Sequence, residues 1–195
     1  ASFLREYPEH VRAARQHQAQ MMIKFLAKST GRPENEIPTV LMADASFAAN
    51  AFDLLTPMLN ASRQEIVSKL SGFGVIQARV KAFPSAWKKA QGRNIAFISL
   101  GDLVGTRVVT PDVRSLASAC AVIQNKLEII AKDNKYLDNT AYLAVHYDLA
   151  ASSGIIAELQ VKSSNNLLEA AISHDLLHKP EMSLISLTQA ERKMV

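Results

Sequence analysis

Cysteine is nearly absent from this 195-residue chain, with Cys120 the only one. No intramolecular disulfide and no cysteine-based structural zinc site can form, so the fold does not lean on an oxidising compartment and action in a cytoplasm is the expectation. Long apolar runs are missing too. No stretch approaches the ~18 consecutive apolar residues of a membrane-spanning helix. The start, Ala-Ser-Phe-Leu-Arg-Glu-Tyr-Pro, lacks the basic-then-apolar pattern of a Sec signal. The expectation is a chain neither anchored in a membrane nor exported by that route. Position 1 is not methionine, as either processing or excision from a longer protein would leave it, so the ends carry no argument. Internal repeats and low-complexity tracts are absent. The charge excess is small, a net +4 with a pI of about 9.2. It favours anionic partners such as nucleotide phosphates and is too weak for nonspecific coating of nucleic acid.

The 48% hydrophobic content is enough to bury one sizeable core, and one domain is the default. Residues 1–70 read as a helical segment packed on the same domain, and 71–195 as its core. Pro8 is placed to start a helix with Val11, Ala14, Met21, Met22, Phe25 and Leu26 on roughly one face, ending near Thr30-Gly31-Arg32-Pro33. A proline-rich link follows. Asp44 or Ser46 is expected to cap a second helix running toward Pro57, and Ser62 with Glu65 has capping-box spacing for a third. None of these helices carries an obvious reactive group.

From Ser71 short apolar runs alternate with helical ones. Strands are expected at 75–80, 103–109, 127–131, 142–149 and 155–161, the last two meeting across Ala-Ala-Ser-Ser-Gly as an antiparallel hairpin. Helices are expected at 84–90, 112–125 and 165–178, the last stopped by Pro180. Hairpins mixed with crossovers imply an α+β fold, a mixed central sheet with helices packed on it.

Four segments concentrate polar groups at strand ends. Arg79 and Lys81 point the same way on an extended segment, and Ser85 and Lys89 stack on one face of the helix that follows, a cationic cradle of the kind polyphosphate requires. A solvated basic edge is the equally weighted bland reading. Asp102 begins the next strand, with Arg107 further along it; a carboxylate there can supply a ligand to a hard cation such as Mg²⁺, or simply cap a turn. Tyr142 and His146 share a strand face, which alone reads as ordinary sheet. Glu158, Gln160 and Lys162 occupy alternate positions while Leu159 and Val161 face the other way, and three polar groups along a central strand are hard to explain by solvation. His174 and His178 have zinc-ligand spacing but no His-Glu-x-x-His and no evident third ligand, so zinc ranks low.

Taken in order, these segments resemble the synthetase domain of the RelA/SpoT family, over the C-terminal two thirds of the chain. The pattern Arg-x-Lys-x-x-x-Ser-x-x-x-Lys is met by Arg79, Lys81, Ser85 and Lys89. Asp-Leu-x-Gly-x-Arg is met by Asp102, Leu103, Gly105 and Arg107, and Tyr-x-x-x-His by Tyr142 and His146. Glu158, Leu159, Gln160, Lys162 and Ser163 fit Glu-[Leu/Ile]-Gln-x-[Arg/Lys]-[Thr/Ser]. His174 and Lys179 fall where single-domain members place a His and a Lys.

The resemblance implies a nucleotidyltransferase-like alarmone synthetase fold and transfer of pyrophosphate from ATP to the 3′-hydroxyl of a purine nucleotide. Arg79, Lys81, Ser85, Lys89 and Arg107 would bind ATP. Asp102 and Glu158 would hold Mg²⁺ and carry the catalysis, with Glu158 as general base. Tyr142, His146, Gln160, Lys162 and His174 would bind the acceptor. The usual Lys-x-Asn-Gly-Tyr-Arg-Ser reads Leu137-Asp138-Asn139-Thr140-Ala141-Tyr142-Leu143-Ala144 here, so the divergence lies around the acceptor while the donor motifs are intact. This implies the toxin branch, an interbacterial effector making (p)ppApp in a recipient cytoplasm and requiring an immunity partner. The alternatives are a guanine-directed small alarmone synthetase, a toxin that modifies the tRNA 3′ end, or, in another class, an inactive nucleotide-binding module.

Overall fold

The computed structural model describes residues 8–134 and 144–164. Helix α1 spans Glu9–Thr30. Pro8 precedes it, and Gly31 ends it in the left-handed conformation (φ 70°), returning its N–H to the Ala27 carbonyl. Its buried stripe is Val11, Arg15, Gln18, Met22 and Leu26, so two polar side chains sit where the sequence pattern points to Ala14, Met21 and Phe25.

The proline-rich link contains a short helix, α2 (Ile37–Ala43), with Pro38 in its first turn. Asp44 then caps α3 (Ala45–Leu70), its carboxylate accepting from the N–H groups of Ser46 and Phe47. The two helices expected on either side of Pro57 are one. Pro57 and Asp53, whose carbonyl loses its helical partner, are both exposed, so water can satisfy that group. Meanwhile Phe52, Leu55, Leu59, Ile66 and Leu70 are buried continuously across the proline. Burial of that stripe outweighs the local break. Ser62 caps nothing: its hydroxyl bonds to Met58 O and to the Ser153 hydroxyl. Glu65 binds Lys69 and the backbone and hydroxyl of Ser152.

Beyond α3 come β1 (Val75–Val80), α4 (Phe83–Gly92), a 3₁₀ turn (Phe97–Ser99), β2 (Val104–Thr110), α5 (Val113–Lys126), β3 (Ile129–Asn134), β4 (Val145–Ala150) and β5 (Ile156–Ser163). The expected helix at 165–178 lies outside the described residues. The sheet order is β1-β2-β5-β4-β3, with β2 and β5 parallel and the other neighbours antiparallel. It is the mixed α+β sheet that the hairpin and crossover pattern implies, and β4–β5 is the expected hairpin.

Period-2 alternation gives the sheet two unlike faces. Val104, Thr106, Val108, Tyr147, Leu149, Leu159 and Val161 are buried, and α3 packs on β1 and β2 while α5 packs on β2 and β5. Arg107, His146, Asp148, Glu158, Gln160 and Lys162 occupy the intervening positions on the opposite, polar face. Helix α1 is tied to this framework through Gln18, whose amide donates to Ile98 O and Leu100 O at 2.9 Å and accepts from Ile156 N–H at 2.7 Å. That side chain is fully buried, so its three bonds satisfy backbone groups that water cannot reach.

Candidate active site

The N-terminal end of β2 gathers the first cluster. Lys81 lies just beyond β1 and is anchored by its N–H to Leu103 O, while Lys89 sits in the last turn of α4. Both ammonium groups converge on one oxygen of Asp102, Oδ2, at 2.8 and 2.6 Å. Burial works against the Asp102 charge, but the hydrogen bonds and charges of the two lysines hold its carboxyl below the usual aspartate range. Its other oxygen, Oδ1, is buried with no hydrogen-bond partner. Arg79 is exposed on β1, directly opposite Gly105, and Ser85 is exposed on the first turn of α4.

The second cluster lies on the polar face of the central strands. Gln160 donates to Glu158 Oε1 at 2.6 Å and accepts from Arg107 at 3.3 Å. An arginine only donates, so it fixes which way the Gln160 amide points and turns its NH₂ toward Glu158. His146 Nδ1 approaches the same Glu158 oxygen at 3.6 Å. Lys162, two residues on, is 2% exposed. Burial and the repulsion of Arg107 lower its pKa to about 8, with Glu158 opposing.

The two clusters meet. A cavity of about 420 Å³ is lined by Lys89, Asp102, His146 and Glu158 together with Arg15, Arg93, Lys132, Asp133 and Asp148. Two acids from distant segments, one on the turn before β2 and the other in mid-β5, therefore serve one space.

A family model described as a region found in RelA/SpoT proteins matches residues 78–183, more than half of the chain. The chain belongs to the RelA/SpoT family. Its fold is that of solved small alarmone synthetases. Small alarmone synthetase 1 from Bacillus subtilis bound to its product pppGpp superposes with a TM-score of 0.59 at 17% identity, over 70% of this chain and 84% of that one. The same enzyme bound to AMPCPP gives 0.54 at 18% identity, over 75% and 86%. Small alarmone synthetase 2 from the same organism gives 0.52 at 16% identity, over 78% and 85%. No curated protein sequence matches the chain.

Of the residues that the RelA/SpoT motifs single out, Lys81, Lys89 and Asp102 are brought together, as are Arg107, Gln160, Glu158 and His146. Tyr142 and His174 lie outside the described residues. The motifs pass over Arg15 and Asp148. From α1, Arg15 reaches Asp148 Oδ2 on β4 at 3.2 Å, with side-chain exposures of 8% and 19%. The expectation that the N-terminal helices carry no reactive group is thereby corrected, since Arg15 lines the cavity. The guanidinium packs so closely on Gly101 that a Cβ there would lie 2.8 Å from it. One signal was available in the sequence: Arg15 and Gln18 interrupt an otherwise apolar stripe at helical spacing, and polar groups on a buried stripe have specific partners.

Proposed function

We propose that this chain is a Mg²⁺-dependent pyrophosphokinase that moves the β,γ-pyrophosphoryl group of ATP to the 3′-hydroxyl of a purine nucleotide. The observation that carries the reading is the convergence of Asp102 and Glu158 on one cavity beside the lysine cluster. A purely binding protein has no need of two carboxylates next to polyphosphate, because each repels it.

The donor set suits the metal. Asp102 keeps one buried, unbonded oxygen, and Glu158 adds a second hard ligand. Among the described residues no group of three or more His, Cys, Asp or Glu is arranged to hold a metal, which leaves the remaining positions to phosphate and water, as Mg²⁺ usually has them. The bound ion would neutralise charge on the β- and γ-phosphates. Arg79, Lys81, Ser85, Lys89 and Arg107 bind ATP, the lysines exchanging Asp102 for phosphate oxygens. Glu158, oriented by Gln160, takes the proton from the acceptor 3′-hydroxyl as that oxygen attacks the β-phosphorus and AMP leaves with the bridging electrons. Tyr142, His146, Gln160, Lys162 and His174 contact the acceptor. General-base help contributes only ~10²–10⁴-fold, so alignment and charge neutralisation carry most of the rate.

The divergence around Tyr142, with the donor motifs intact, favours an adenine nucleotide acceptor, and with it a toxin that makes (p)ppApp in a recipient cytoplasm and is held in check by an immunity partner. The second reading is a guanine-directed synthetase, favoured by the pppGpp bound to the Bacillus neighbour. Incubation with ATP labelled at the γ-phosphate, Mg²⁺ and ADP, GDP or tRNA separates these. Labelled product from ADP with equimolar AMP is expected. Transfer to GDP alone overturns the adenine reading, and absence of AMP with every acceptor leaves the inactive nucleotide-binding module.

A further inference from the structure

Asp148 and Glu158 are direct partners across the antiparallel β4–β5 pair, so both side chains leave the same face of the sheet from neighbouring strands. Partners of this kind hold their Cα atoms about 4.5–5.5 Å apart. Both residues line the cavity, and so does Arg15. Arg15 is wedged between Gly101, on the turn that carries Asp102, and Asp148. It occupies one oxygen of Asp148, Oδ2. Oδ1 accepts no hydrogen bond among the described residues, and the Asp148 side chain keeps 19% of its surface. The pair thus does more than bury an arginine: one oxygen is consumed by Arg15, and the side chain lines the cavity that Glu158 also lines.

Two carboxylates on neighbouring strands that line one cavity match two hydroxyls on adjacent carbons. A cis-diol offers two donors at the spacing of neighbours on a ring, and each charged acceptor can take one. We infer that Asp148 binds the 2′-hydroxyl of the acceptor ribose while Glu158 engages the 3′-hydroxyl, making the site selective for ribonucleotides over 2′-deoxyribonucleotides. This rests on the proposed function for the role of Glu158.

Arg15 fixes the Asp148 carboxylate in place through its hydrogen bond to Oδ2. Arg15 is therefore a positioning residue, acting on the acceptor only through Asp148. Helix α1 becomes part of the acceptor site, with Gln18, one turn away, fixing the helix to the start of β5.

The test is calorimetric binding of ADP and GDP and of their 2′-deoxy and 3′-deoxy forms, with Mg²⁺ and the non-reactive α,β-methylene analogue of ATP present. A hydrogen bond to a charged group is worth roughly a 10–100-fold change in affinity, so the 2′-deoxy form of whichever nucleotide binds is expected to be weaker by that factor. In Asp148→Asn the ratio should fall to about threefold or less, and in Glu158→Gln it should persist. The charge-neutral double variant Arg15→Met, Asp148→Leu removes the pair without stranding a buried charge and should also lose the discrimination. Equal affinity of the wild type for ribo and 2′-deoxy forms overturns the inference, as does an undiminished ratio in Asp148→Asn or failure of both nucleotides to bind. Pyrophosphate transfer is read separately. Ribose discrimination without AMP release sinks the proposed function alone, and equal transfer to ADP and 2′-deoxy-ADP sinks this inference alone.

Discussion

The two sides of the cleft are assembled over different distances along the chain. On the α4 side, Lys81, Lys89 and Asp102 are within 21 positions of one another. On the α1 side, Arg15 meets Asp148 across 133 positions, and Gln18 meets Ile156 across 138. The near side is a cluster of charges partly open to solvent, suited to exchanging partners when polyphosphate arrives. The far side is buried and hydrogen-bonded, suited to holding a helix in place. Substitutions should therefore fail differently, those of the α4-side lysines in turnover and that of the structural Gln18 in folding.

The largest effect is expected where the sides meet. Glu158→Gln keeps the size of the side chain but removes the base and the carboxylate charge, and AMP release should fall by about 10³-fold or more with little change in melting temperature. On the α4 side, Lys89→Met should lower kcat/KM for ATP by about 10²-fold, again with little loss of stability, because the side chain is about one-third exposed and Asp102 retains Lys81. A large fall in melting temperature for Lys89→Met would erase the contrast. On the α1 side, Gln18→Leu strands Ile98 O, Leu100 O and Ile156 N–H. It should cost about 3 kcal/mol, or roughly 6–12 °C in a chain of this size, as read by thermal unfolding.

Lys162 sharpens the comparison, because it is a cation of the acceptor set buried like the far-side groups. Its folded pKa of about 8 lies below the ordinary lysine range, so between about pH 8 and 10.5 the unfolded chain binds a proton that the folded chain does not. Stability should thus rise with pH through that window. Lys162→Met should unfold about 1–3 kcal/mol later than the wild type at pH 7, with the difference shrinking toward pH 10.5, and should lose acceptor affinity. Denaturant midpoints at pH 7, 8.5 and 10 check the trend, and a constant difference would contradict it. The smallest effect, about 1 kcal/mol, is expected from Asp44→Ala, which removes the α3 cap far from either side.

Legibility followed the same division. The strands, α4, α5 and the β4–β5 hairpin were readable because alternation, Pro84, Asp112 and the Ala-Ala-Ser-Ser-Gly turn are local signals. The polar groups of β2, β4 and β5 were readable because chemistry repeated at period 2. Pro57 misled, since its local penalty was visible while the burial of Phe52, Leu55, Leu59 and Ile66 that overrides it was not. Arg15 and Asp148 were unreadable as a pair because nothing in either segment names the other; only the register of β4 against β5 and the lie of α1 bring them together.

The central claim, that Asp102 and Glu158 serve a single divalent ion, is tested most directly by titrating Mn²⁺, a spectroscopically visible substitute for Mg²⁺, into the protein with α,β-methylene-ATP present. Paramagnetic resonance of the wild type, Asp102→Asn and Glu158→Gln should show tight binding that either substitution alone weakens by about tenfold or more. Wild-type affinity in either single variant would contradict a shared ion.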